Sequence, residues 1–171
     1  MNRAVLLTSE TVLHALDYGQ FTITGGALMD DIALLADALR CPPTASDGRS
    51  VLVLSPHQND FAMTVSIERW SDRPTHDESG WDQISVERLS VGATATVRLG
   101  SPTLEDTECT VPAGDYWVEV SGRGFVNYGW PGSTEPGDEW RLRLWPVTAR
   151  TEEVRTLWQM PGHGCPWNAD D

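Results

Sequence analysis

Through much of this chain large apolar side chains fall on every second position, and no other feature limits its fold so strongly. In Phe61-Ala62-Met63-Thr64-Val65-Ser66-Ile67-Glu68 the alternation sets Phe61, Met63, Val65 and Ile67 on one face of a strand. Gln20 to Thr24, Ile84 to Glu87 and Ala93 to Leu99 keep the same period. Tyr116 to Ser121 turns Tyr116, Val118 and Val120 inward, and Trp140 to Trp145 does so with Trp140, Leu142 and Leu144 before Pro146 stops it. Ser50 to Ser55 is continuously apolar at its centre, as a strand covered on both faces would be. Clusters of Gly, Pro, Asp and Ser separate these runs at intervals of about 8–15 residues. The expected fold is therefore all-β: an antiparallel two-sheet β-sandwich of jelly-roll type.

One stretch breaks the rule. Leu28, Ile32, Leu35 and Leu39 recur at helical spacing, with Asp30 and Asp31 where an N-terminal turn would want negative charge. This predicts one short helix near 28–40, ended by Cys41-Pro42-Pro43 and followed by a polar connection over residues 41–50. With 171 residues, 40% of them hydrophobic, the chain can bury a core. A single domain is expected over residues 1–160, with a loose tail over 161–171. No run approaches the roughly 18 apolar residues of a membrane span. The apolar run Ala4 to Leu7 is shorter than the roughly 7–15 residues of a secretion signal. Cys41, Cys109 and Cys165 are widely spaced and odd in number. Together these features point to free thiols and a cytoplasmic protein.

Charge narrows the partners. The formal net charge is −13 and every basic residue is Arg, a bias that fits a GC-rich bacterial or phage source. The acidic excess is nearly even along the sequence, so it opposes a nucleic-acid backbone from most directions. Neither nucleic acid nor a membrane is expected as a partner. The same field would speed encounter with a protein of basic surface, such as a nuclease.

Motifs for chemistry are sparse. His163-Gly164-Cys165 lacks the second ligand pair of a zinc site. Ser55, His57 and Asp60 are too close in sequence for triad geometry and read as a turn. The acidic stretches 72–82, 105–108 and 135–139 lack the alternating spacing of a calcium loop. No phosphate loop or nucleophile elbow is present. Neither catalysis, a bound metal nor a cofactor is expected. One enzyme alternative is kept, a cupin-like metal centre gathered around His57 and His76. Another alternative rests on the eight tryptophans: Trp117, Trp130 and Trp145 as a stacking platform of a carbohydrate-binding module.

The order of motifs from Trp81-Asp82-Gln83-Ile84 through Pro112-Ala113-Gly114-Asp115-Tyr116-Trp117 and Ser121-Gly122-Arg123-Gly124 to Asp138-Glu139-Trp140-Arg141-Leu142-Arg143-Leu144-Trp145-Pro146 is familiar. It resembles a group of actinobacterial β-sandwich proteins and, more distantly, the competence protein J-like nuclease inhibitors. The resemblance covers roughly the second half of the chain. It implies an accessory role, binding and restraining another protein such as a nuclease or toxin, and it carries no catalytic residues with it. The residues themselves offer a contact set for such a role. Tyr128, Trp130, Glu135, Asp138 and Glu139 place aromatic anchors among carboxylates in one loop, a composition suited to a basic patch on a partner.

Overall fold

In the computed structural model, the residues described are 3–40, 44–55, 61–125, 137–148 and 155–159. In chain order the elements are β1 (Leu6–Ala15), β2 (Gln20–Thr24), α1 (Asp31–Ala38), β3 (Thr44–Ser46), β4 (Ser50–Leu54) and β5 (Ala62–Trp70). They continue with β6 (Gln83–Val91), β7 (Thr96–Gly100), β8 (Thr107–Thr110), β9 (Gly114–Arg123), β10 (Glu139–Pro146) and β11 (Arg155–Gln159). One sheet has six strands in the order β1-β5-β10-β9-β6-β11, the other five in the order β3-β4-β2-β7-β8. Stacked face to face, they make the expected sandwich.

The core between the sheets is the alternation made solid. Met63, Val65 and Ile67 of β5 meet Tyr116, Val118 and Val120 of β9 and Trp140, Leu142 and Leu144 of β10. Phe21 and Ile23, Val51 and Val53, and Val97 and Leu99 close it from the five-stranded sheet. Phe21 sets its ring edge-on to Trp140, with centroids 5.1 Å apart. At Gly122 the fit leaves no room for a side chain, since a Cβ there would lie 2.6 Å from Trp140 Cζ3. Phe61 falls outside this set, being 39% exposed just before β5 begins.

Three expectations need correction. The six-stranded sheet is mixed rather than purely antiparallel, because β10 runs parallel to β5 while it pairs antiparallel with β9. The helix is shorter than 28–40 and turned differently. Asp30 caps it, its Oδ1 accepting from Ala33 N at 3.0 Å, and Leu34 and Ala38 pack on Ala45 and Leu52 of the five-stranded sheet. Leu28, ahead of the first turn, and Ile32 are left 98% and 83% exposed. The connection 41–50 contains β3, whose Ala45 the helix covers. The tail 161–171 lies outside the described residues.

Both faces of the six-stranded sheet are covered at its centre. On the face away from the core, Trp117 and Trp145 pack with Val86, flanked by Trp70 and Val147. Among the described residues no helix is long and apolar enough to cross a membrane.

Candidate functional site

The strand pairings bring several loops to one end of the sandwich. Ala15 pairs with Ala62, Gln20 with Leu54, Gln83 with Gly122 and Glu139 with Arg123, so these strand termini share that end. The expected contact set belongs to one of them, the β9–β10 connection. Tyr128, Trp130 and Glu135 lie outside the described residues. Asp138 is 4% exposed and accepts from Ser55 Oγ at 3.3 Å, so it roots the connection and presents no open face. Glu139 is half-exposed and takes two bonds from the Arg123 guanidinium, at 2.9 and 3.0 Å. Tyr18 and Phe61 stand exposed at the same end.

The tryptophans proposed as a stacking platform are elsewhere. Trp117 is 4% exposed and Trp145 1%. Stacking on a sugar needs an open ring face, and these rings spend theirs on Val86 and on the Arg88 guanidinium, 4.9 Å from the Trp117 centroid. Trp130, the third member, is outside the described residues. Trp81 is also covered: Arg123 and Arg141 lie over its ring at 4.7 and 4.4 Å.

Beside Trp81 an ionic cluster crosses the outer face of the six-stranded sheet. Arg143 Nε donates to Glu119 Oε1 at 2.8 Å, and its Nη1 reaches the Thr75 carbonyl at 3.1 Å. His76 bridges from the opposite side, Nε2 to Glu78 Oε1 at 2.8 Å and Nδ1 to Glu119 Oε2 at 3.9 Å. Arg141 stands 3.8 Å from Glu119 and leaves its Nε and Nη2 without hydrogen-bond partners. Burial, and then the neighbouring Arg143 charge, push its pKa down. The pattern is a clamp that ties the 71–82 segment to the sheet.

Sequence reasoning missed two buried polar groups. Glu87 faces the core, opposite Val118, and is 1% exposed. Its Oε1 accepts from Thr44 Oγ1 at 2.7 Å, while Oε2 has no hydrogen-bond partner. Burial lifts its pKa to about 7. His14, 1% exposed, contacts Thr107 Oγ1 through Nδ1 at 3.0 Å and Ser101 Oγ through Nε2 at 3.3 Å. Burial lowers its pKa, opposed by the charge of Asp106. A serine beside an imidazole invites comparison with a catalytic pair. Here the Ser101 hydroxyl donates to the Ala15 carbonyl instead, and a Thr hydroxyl, not a carboxylate, orients the ring. The arrangement staples β1 to the opposite sheet.

Among the described residues no three His, Cys, Asp or Glu side chains converge as metal ligands would. His57 of the cupin-like alternative lies outside them, and His76 is engaged by Glu78. Asp72 and Asp77 accept from nearby backbone N–H groups, as turn residues do. Cys109 is buried and free, with its pKa raised to about 11 by burial, and Glu10 adds to the rise. Cys41 and Cys165 are outside the described residues.

Comparison with known proteins gives a fold relationship. No protein-family model matches the chain, and no curated protein matches it. Two solved structures share its architecture. One is ComJ from Bacillus subtilis, inhibitor of the DNA degrading activity of NucA: TM-score 0.58 and 12% identity, covering 85% of this chain and all of that one. The other is the product of crocagin biosynthetic gene J: TM-score 0.52 and 13% identity, covering 83% of this chain and all of that one.

Proposed function

We propose that this chain is a non-catalytic protein-binding module: an acidic inhibitor, immunity or accessory protein acting on a partner with a basic surface, such as a nuclease or toxin. Charge carries the reading. A formal net charge of −13 on a chain of 171 residues creates a field that favours a cationic partner and disfavours nucleic acid. The sandwich is also the fold of a nuclease inhibitor, and the overlap takes in the whole of that inhibitor; this support is analogy of fold. Among the described residues, polar groups with catalytic potential are structurally engaged: His14 joins the sheets, His76 and Glu119 hold the 71–82 segment, and the Cys109 thiol is buried. Tyr128, Trp130 and Glu135 remain the proposed contacts in the β9–β10 connection, with Glu139 at its edge and Asp138 as its anchor.

The test is direct. The purified chain is mixed with the product of a neighbouring nuclease or toxin gene, and binding is followed by calorimetry across a salt series. A stoichiometric complex that weakens steeply with salt and lowers the partner's activity is the expected result. Absence of a complex at low ionic strength, where attraction between opposite charges is greatest, overturns the proposal.

A further inference from the structure

A groove of about 340 Å³ runs over the outer face of the five-stranded sheet between α1 and the Ser101-Pro102 turn. Its floor is Gln20 and Thr22 of β2 with Leu52 of β4, and its wall is Met29, Ile32 and Leu35. The groove exists because α1 seats Leu34 and Ala38 over β3 and β4 and leaves β2 uncovered beside it.

Two observations describe an occupant. The apolar wall opens to solvent, since Ile32 is 83% exposed, and Leu28, which precedes Met29 of the wall in sequence, is 98% exposed. Single exposed apolar residues are common on proteins, but here they extend a concave apolar wall. Next, the mouth is acidic. Asp31 lines it, Asp30 precedes it at the helix cap, and Asp106 stands beside Thr22, close enough that a Cβ on Gly100 would meet its Oδ1 at 3.3 Å. The nearby Arg98 is already shared between Asp106, at 3.4 Å, and Glu108, at 2.8 Å.

We propose that this groove docks a partner protein through an apolar side chain carried on a cationic segment. This rests on the protein-binding reading above and names a second contact face for it. A small ligand held in the cavity would leave the outward side of Ile32 uncovered, whereas a polypeptide can cover it. A second copy of the chain would bring its own −13 charge against the carboxylates.

The experiment titrates the ¹⁵N-labelled protein with a peptide of alternating Arg and Leu, beside Arg–Gly and Glu–Leu peptides of equal length. Saturable amide shifts centred on Gln20, Thr22, Ile32 and Leu35 are expected with the Arg–Leu peptide, with binding at least tenfold weaker for both controls. Ile32→Asp, a change at an exposed site, should cut Arg–Leu binding at least tenfold and leave the melting temperature in place. Equal binding of the Arg–Gly peptide, shifts centred elsewhere, or self-association through the groove without peptide overturns the proposal. A basic partner that binds wild type and Ile32→Asp equally removes the groove but leaves the protein-binding reading intact. Failure of any basic protein to bind removes that reading instead.

Discussion

Thr44 and Glu87 face each other across the sandwich, the threonine hydroxyl donating at 2.7 Å to a carboxyl group held among core residues. The second oxygen of Glu87 has no such donor, so burial dominates and the group titrates near 7 rather than 4.5. Below about pH 4.5 the carboxyl is protonated whether the chain is folded or not, and it carries no penalty. As pH climbs toward 7 the unfolded chain gives up this proton while the folded chain retains it, so stability falls and then levels off. That difference in pKa corresponds to roughly 3 kcal/mol. Urea denaturation between about pH 4 and pH 8 should show this loss, and Glu87→Gln should remove it. An unchanged pH slope in the variant would mean that Glu87 ionises freely in the fold.

Arg143→Met should destabilise the fold by about 1.5–3 kcal/mol, because it removes the shortest charged hydrogen bonds to the covered Glu119 carboxylate and leaves Arg141 at 3.8 Å and His76 at 3.9 Å beside it. Combining it with Glu119→Gln should cost less than the sum of the two single changes, since each single change already breaks the pair. A double-mutant cycle by chemical denaturation measures the coupling, and strictly additive losses would rule out the pair as a unit.

Gly122→Ala should be poorly tolerated. The new methyl would meet the Trp140 ring at 2.6 Å and Phe125 Cζ at 2.8 Å, and the backbone on both sides is fixed in the sheet. Overpacking of this kind costs about 1–3 kcal/mol. A melting temperature equal to that of wild type would show that Trp140 has another place to go.

Replacing Trp145 by Ala should cost about 3–5 kcal/mol in stability, as loss of a covered aromatic ring does. Thermal denaturation reads this change. A variant that keeps wild-type stability but loses affinity for an oligosaccharide would restore the stacking platform as an explanation.

Cys109 should resist alkylation in the native protein near neutral pH, because both burial and a pKa of about 11 suppress the thiolate. Mass spectrometry after iodoacetamide treatment, with and without denaturant, checks it. Rapid modification of Cys109 in the native state would contradict its placement.

What could be read from the sequence follows from how each strand meets solvent. β5, β9 and β10 announced themselves because one face is core and the alternation is unbroken at Met63-Val65-Ile67 and Tyr116-Val118-Val120. β1 gave no such signal. It is an edge strand whose first six residues are exposed on both sides, so Thr8, Ser9 and Glu10 need no pattern. Glu87 was hidden for the opposite reason. Ile84 and Val86 suggested one buried face of β6, yet the other face, with Gln83, Ser85 and Glu87, is buried as well. For α1, the spacing of Leu28 and Ile32 suggested one apolar stripe, but Leu28 precedes the helix and the contact with Ala45 and Leu52 selected the neighbouring Leu34–Ala38 face. Of the candidate contacts, Asp138 looked like a surface acid because nothing local reveals Ser55, which is distant in sequence.

The parallel pairing of β5 with β10 has a consequence during synthesis on the ribosome. Thr64 to Arg69 must wait for Glu139 to Leu144 before their second edge is occupied, and until then β1–β5 and β6–β9 are two half-sheets with a gap between them. A nascent chain stalled or cleaved ahead of residue 139 would expose raw strand borders on both sides of that gap. Such fragments should aggregate instead of persisting as partial folds.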